Sequence, residues 1–136
     1  MRILVIDDDP LIRMMAMALL TTDTQKVSCA ENGMDGLACI ASAAPDLVLL
    51  DVSMPDVSGL DLLPRLRKAP GWERTPILML TAESEIENIV RAQRDGARGY
   101  ICKPVQPETL VAMVHDILHQ PDILWLDDYT RLRRPA

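Results

Sequence analysis

Four polar sites in this chain stand where short apolar runs end. Asp7, Asp8 and Asp9 follow RILVI, Asp51 follows DLVLL, Thr81 and Ala82 follow ILML, and Lys103-Pro104 follows GYIC. Carboxylate oxygens bind hard cations, while a hydroxyl and an ammonium suit phosphoryl oxygens. Taken singly, each has an ordinary reading: a solvated helix cap, a turn former, a strand-end hydroxyl, a surface lysine. The chemistry depends on whether the fold gathers them, so the elements that carry them come next.

Short apolar runs alternate with helical patterns. RILVI (2–6), KVSCA (26–30), DLVLL (46–50), ILML (77–80) and GYIC (99–102) read as strands, mostly apolar on both faces, as in a parallel sheet covered on both sides. Asp9-Pro10 supplies an N-cap and a proline at the first helical position, so a helix should run to about Leu20. A weaker helix is expected from Met34 to about Ser42, with Gly36 inside it, and a third follows Ser58-Gly59. Pro64 falls inside that third helix and should make it kink or restart near Leu63. Ser84 to Glu87 reads as a capping box, and Gly96 stands where a left-handed C-terminal residue is wanted. The fourth helix has a short apolar stripe, Ile86, Ile89 and Val90, which suits a movable element. In the last helix Leu110, Met113, Val114, Ile117 and Leu118 form an amphipathic stripe.

These βα units predict a doubly wound α/β fold, flavodoxin-like, with a five-stranded parallel sheet in the order 2-1-3-4-5 and helices on both faces. That order sets strands 1 and 3 side by side. Asp7, Asp8 and Asp51 then converge at the topological switch point, with Thr81 and Lys103 on the other flank. Clustered carboxylates repel one another and call for a cation, and an all-oxygen set suits Mg²⁺ better than zinc. An acidic pocket with a divalent ion, a hydroxyl and a lysine has the parts of a phosphoryl-transfer site.

At these residues the sequence resembles the receiver domain of bacterial two-component response regulators. The matching stretches are ILVIDDDP, DLVLLDVSMPDVSGL, ILMLTAE and ARGYICKP, in order and in register, and the resemblance covers residues 1 to about 119. It implies that Asp51 is the phosphoacceptor, a carboxylate nucleophile. It implies that Asp8 and Asp51 bind Mg²⁺ directly, Asp7 through water, and that the Ser53 carbonyl completes the protein's share. Thr81 and Lys103 would hold phosphoryl oxygens, and Tyr100 would turn inward when Thr81 moves. A histidine kinase or histidine phosphotransfer protein would supply the phosphoryl group. The output partner would meet the face formed by the fourth helix, fifth strand and fifth helix. Ser53 and Glu83 occupy positions where the family varies and tunes phosphoryl lifetime. Val105 departs from the family's usual Phe after Lys-Pro, and Ser58 from its usual Asp before the glycine that opens the third helix; Ser58 can cap equally well.

The rest of the chain narrows the field. At 136 residues it fits one domain, residues 1–119, followed by a tail, 120–136, read as a short helical extension or a linker. Pro121 should end the last helix and Asp122 could cap a new one carrying Trp125, Tyr129 and Leu132 on one face, packed on this domain or on a second subunit. A net charge of −6 argues against nucleic-acid binding by this domain. The longest apolar run, Met14 to Leu20, has seven residues, against roughly 18 for a membrane span. With no leader pattern visible, a cytoplasmic location is expected. Cys29, Cys39 and Cys102 read as buried free thiols, Met14, Met15 and Met17 as core filler, and His115 and His119 as exposed residues lacking a third metal ligand. A Mg²⁺-dependent aspartate-nucleophile phosphatase would use the same side chains. Such enzymes place a general acid two residues past the nucleophile, where this chain has Ser53. The remaining alternative is a receiver cut from a larger DNA-binding or enzymatic regulator. By this reading the chain is a switch that catalyses only its own phosphorylation and dephosphorylation.

Overall fold

Every strand expected from the sequence forms, and each lies parallel to its neighbours. The structure, a computed structural model, describes residues 1–82 and 86–127, with the backbone alone at Ile86. Its elements are β1 (Arg2–Ile6), α1 (Pro10–Leu20), β2 (Lys26–Ala30), α2 (Gly33–Ala38), β3 (Leu47–Asp51), α3 (Gly59–Lys68), β4 (Ile77–Ala82), α4 (Ile86–Arg94), β5 (Gly99–Lys103), α5 (Pro107–His119) and β6 (Leu126–Asp127). The sheet order is β2-β1-β3-β4-β5-β6. The short sixth strand adds to the expected 2-1-3-4-5 arrangement without altering it.

Two apolar layers sandwich the sheet, and strand alternation decides which residue joins which. Ile3, Val5, Leu47, Leu49, Leu78, Leu80 and Ile101 face α1 and α5, which contribute Ile12, Ala16, Leu20, Leu110, Met113, Val114 and Ile117. Leu4, Ile6, Val48, Leu50, Ile77 and Met79 face the other way, onto Leu60, Leu62, Leu63 and Leu66 of α3 and Ala92 of α4. Strand β3 is buried along its whole length, as expected of a central parallel strand.

Several local expectations need correction. The buried stripe of α1 is Ile12, Ala16 and Leu20, so Met14 and Met17 fall on the opposite side and are exposed by 67% and 47%; they are not core filler. None of the three cysteines is in a disulfide, and all are only half-buried. Helix α2 is shorter than expected and gives way to a 3-10 turn, Cys39–Ala41. Helix α3 does not restart near Leu63: it runs unbroken through Pro64, held by a face with four buried leucines. Helix α4 buries Ala92, while Val90 points outward at 61% exposure. It ends as expected, with Gly96 at φ +99° and the paired bonds Gly96 N–H to Gln93 O and Ala97 N–H to Ala92 O. The capping box at Ser84 and Glu85, like Glu83, lies outside the described residues.

The tail departs most from expectation. No helix starts at Asp122; residues 121–127 turn and then form β6, parallel to β5, with Gly99 opposite Leu126 and Tyr100 opposite Asp127. The competing force is the open edge of β5, whose backbone groups gain partners from a strand but not from a helix. Tyr129 and Leu132 lie outside the described residues.

Candidate functional site: an acidic pocket at the carboxyl ends of β1 and β3

Strand register brings the site together. Ile6 pairs with Leu50 across β1 and β3, so Asp7 and Asp51 occupy the next rung. Asp51 pairs with Leu80 and Ala82 with Lys103, which places Thr81 and Lys103 on the far flank. The loop after Asp51 is pinned by the start of α3. Ser58 accepts from Leu60 N–H at 3.2 Å and donates to Val52 O at 3.2 Å. A Cβ on Gly59 would lie 1.9 Å from the Asp51 carbonyl oxygen, so only glycine lets α3 begin this close to β3.

The three carboxylates meet as expected. One oxygen from each of Asp7, Asp8 and Asp51 lies within 4.8 Å of the others. Asp7 and Asp51 are buried, at 0% and 1% exposure, whereas Asp8 faces solvent. Lys103 Nζ bridges the two buried acids, 3.1 Å from Asp7 Oδ2 and 3.1 Å from Asp51 Oδ1. Asp51 Oδ1 also accepts from Ser53 N–H at 3.1 Å. Asp7 Oδ1 accepts from Asp9 N–H at 2.9 Å. Its other oxygen meets Lys103 as an ion pair, without hydrogen-bond alignment. Asp51 Oδ2 has no hydrogen-bond partner among the described residues.

Charge crowding shows in the acidities. Burial, then the Asp7 charge, pushes the Asp51 carboxyl up to about 7 against the pull of Lys103. Burial works to lower Lys103, but Asp7 and Asp51 outweigh it and hold the ammonium above its usual value. One cation is thus shared by more negative charge than it can neutralise. The donors are all oxygens, one buried oxygen lacks a partner, and the exposed Asp8 opens the cluster to water. That set fits a hard divalent cation.

Thr81 is buried and its hydroxyl donates to Ala82 O at 3.1 Å. Tyr100, half-buried three residues before Lys103 on β5, packs against Trp125. Asp9 stays out of the cluster and caps α1 through Leu11 N–H at 2.9 Å. His115 and His119 are exposed on α5, their rings 4.4 Å apart. Two supporting residues escaped the sequence reading. Arg13 donates to Asp7 O at 2.8 Å. Asp56 accepts from the N–H groups of Gly33 and Met34 at 3.0 and 2.9 Å, tying the β3–α3 loop to the start of α2. Those bonds, Gly33 first, hold the Asp56 carboxyl below its usual value. Its only sequence signal was an acid in a turn beside a proline.

Comparison with known proteins agrees with this geometry. Residues 3–115 match the family described as response regulator receiver domain. Protein PilH of Pseudomonas aeruginosa is 35% identical over 117 residues, covering 86% of this chain and 97% of PilH. The probable transcriptional regulatory protein TcrX of Mycobacterium tuberculosis is 32% identical over 131 residues, but the chain spans only 55% of it. The solved chemotaxis protein CheY4 of Vibrio cholerae superposes with a TM-score of 0.79 at 33% identity, covering 85% of this chain and 97% of that one. The receiver domain of DrrB, in a form described as BeF3-activated, is similar with a TM-score of 0.75 at 31% identity, covering 88% of this chain and 97% of that one. The chain belongs to the response regulator receiver domain family, the signalling module of two-component systems.

Proposed function

We propose that this receiver is switched by phosphorylation of Asp51, and that the observation carrying the reading is the Asp51 carboxylate itself. It is buried at a strand end, has one oxygen committed to Lys103 and Ser53, and has the other without a hydrogen-bond partner among the described residues. A carboxylate so placed is a nucleophile awaiting an electrophile. Its oxygen forms the bond to phosphorus as the bond from phosphorus to the donor's leaving group breaks. Lys103, 3.1 Å away, remains beside the phosphoryl oxygens, and the Thr81 hydroxyl turns from Ala82 O toward them. Asp7, Asp8 and Asp51, with the Ser53 carbonyl, would hold Mg²⁺, which supplies charge neutralisation for the transferring group.

Receiver domains exchange signals with histidine kinases or phosphotransfer proteins and with output domains. Here the donor would be such a kinase or phosphotransfer protein, reaching Asp51 past the exposed Asp8. The output would run through Thr81 and Tyr100 to the α4–β5–α5 face, where a partner protein or a second copy of this chain binds. Residues 1–119 would form the receiver and 120–136 its tail. A cytoplasmic site of action suits that role, and among the described residues no helix is long and apolar enough to cross a membrane. The chain would catalyse only its own phosphorylation and dephosphorylation. Intact-mass spectrometry after incubation with a small acyl phosphate tests the reading. One phosphoryl group per chain, dependent on Mg²⁺ and absent from Asp51→Asn, is expected; undiminished labelling of that variant would overturn it.

A further inference from the structure

The segment that follows α5 covers the very edge through which a signal would leave. Leu126 N–H donates to Arg98 O at 2.9 Å, and Arg98 reaches out to Ile123 O at 3.0 Å. Leu126 and Asp127 are buried, at 0% and 5% exposure. A Cβ on Gly99 would lie 1.6 Å from Leu126 O, so the strand can close on β5 only because residue 99 has no side chain. Trp125 Nε1 donates to Asp127 Oδ2 at 2.9 Å, and this bond orients the indole against Tyr100, ring centroids 5.9 Å apart. Trp125 and Tyr100 then line one small gap together with Thr81, Asn88 and Ile89.

We propose that residues 121–127 are an intramolecular strap, docked on β5 and anchored by Trp125 on Tyr100, that holds the receiver in its resting state and competes with phosphorylation. The inference rests on the reading of Asp51 as phosphoacceptor. The sign of the coupling follows from the contacts. In the docked arrangement the Thr81 hydroxyl is bonded to Ala82 O, and Thr81, Tyr100 and Trp125 line one gap. Drawing Thr81 toward a phosphoryl oxygen frees space on its inner side, and Tyr100 moving into that space leaves Trp125 without its ring partner. Docking therefore favours the resting arrangement of Thr81 and Tyr100. Reciprocity requires that whatever favours the other arrangement also loosens the strap.

The test uses full-length chain, Mg²⁺ and beryllofluoride as the phosphoryl mimic, with Gly99→Ala and Trp125→Ala beside wild type. Gly99→Ala blocks strand pairing and Trp125→Ala removes the anchor, and neither touches the acidic pocket. The readouts are hydrogen exchange at the Leu126 amide and the affinity for beryllofluoride. In wild type the Leu126 amide should be protected, and should lose protection when the mimic saturates. Each variant should lose that protection without the mimic and bind the mimic at least about fivefold more tightly, the lower end of ordinary coupling. Continued protection in saturated wild type would overturn the strap, as would a freed segment with unchanged affinity in both variants. If Asp51→Asn binds the mimic as well as wild type does, the phosphoacceptor reading fails and takes the strap with it. Should Gly99→Ala unfold the chain, Trp125→Ala alone decides.

Discussion

As the proposed phosphoacceptor, Asp51 would have to be buried enough to react in a dry pocket yet ionised enough to attack and to ligate. The pull of Lys103 only partly meets that conflict, since the carboxyl remains raised from 3.8 to about 7. An acid raised by folding binds its proton more tightly folded than unfolded, so metal-free stability should fall as pH climbs between those two values and level off above them. Urea melts at pH 5 and pH 8 without divalent ions should show this decline. Asp51→Asn should flatten it and be the more stable chain at pH 8, by roughly 1–3 kcal/mol; an unchanged slope in the variant would place the titrating group elsewhere. Adding Mg²⁺ reverses the sign, because the cation favours the ionised form. Its affinity, read as a shift in melting temperature, should strengthen from pH 6 to pH 8 in wild type and be largely lost in Asp8→Ala. Equal shifts in both chains would mean that the ion binds outside this cluster.

Among the elements, the site depends on a place where two backbones approach too closely for a side chain. Gly59 lets α3 start against the Asp51 carbonyl. Gly59→Ala should cost about 1–3 kcal/mol as α3 shifts outward, and should weaken Mg²⁺ binding in parallel; a stable variant with normal Mg²⁺ affinity would contradict that coupling. Arg67 does a different job. Its guanidinium donates to Trp72 O, Glu73 O, Thr75 O and Gly96 O at 2.7 to 3.1 Å, tying the α3–β4 loop to the end of α4. Arg67→Ala leaves those carbonyls to find other partners and should destabilise the chain by about 2–3 kcal/mol in urea. Phosphorylation of Asp51 should survive the change, since Arg67 touches none of the site. These examples mark the boundary of what the sequence shows. Strand runs, the Asp9-Pro10 cap and the α5 stripe are local patterns, and the structure follows them. Arg67, Arg13 and Asp56 act through side-chain bonds to distant backbone, which leave no periodicity to read. The strand at 126–127 was hidden for another reason. Two residues carry no alternation, and Pro121-Asp122 imitates a helix start.

For the whole molecule, the division of labour follows the sheet. The carboxyl ends of β1, β3, β4 and β5 gather the polar residues that the chain scatters over almost a hundred positions, from Asp7 to Lys103. The position of each was legible because a parallel sheet puts every strand end at one rim. Tyr100 and Trp125 lie off that rim, on the α4 side of β5, where they line one gap with Thr81. Among the described residues, Leu11 and Met14 on the first turns of α1 are exposed by 69% and 67%. On the proposed reading, all of this serves one carboxylate, that of Asp51. The most direct measurement is to phosphorylate the full chain with a small acyl phosphate and Mg²⁺, reduce it with borohydride, which converts an acyl phosphate to an alcohol, and map the product by peptide mass spectrometry. Homoserine at position 51, and no reduction product at Asp7 or Asp8, is the predicted result. Reduction at any other acid, or a phosphoryl group that resists borohydride, would contradict it.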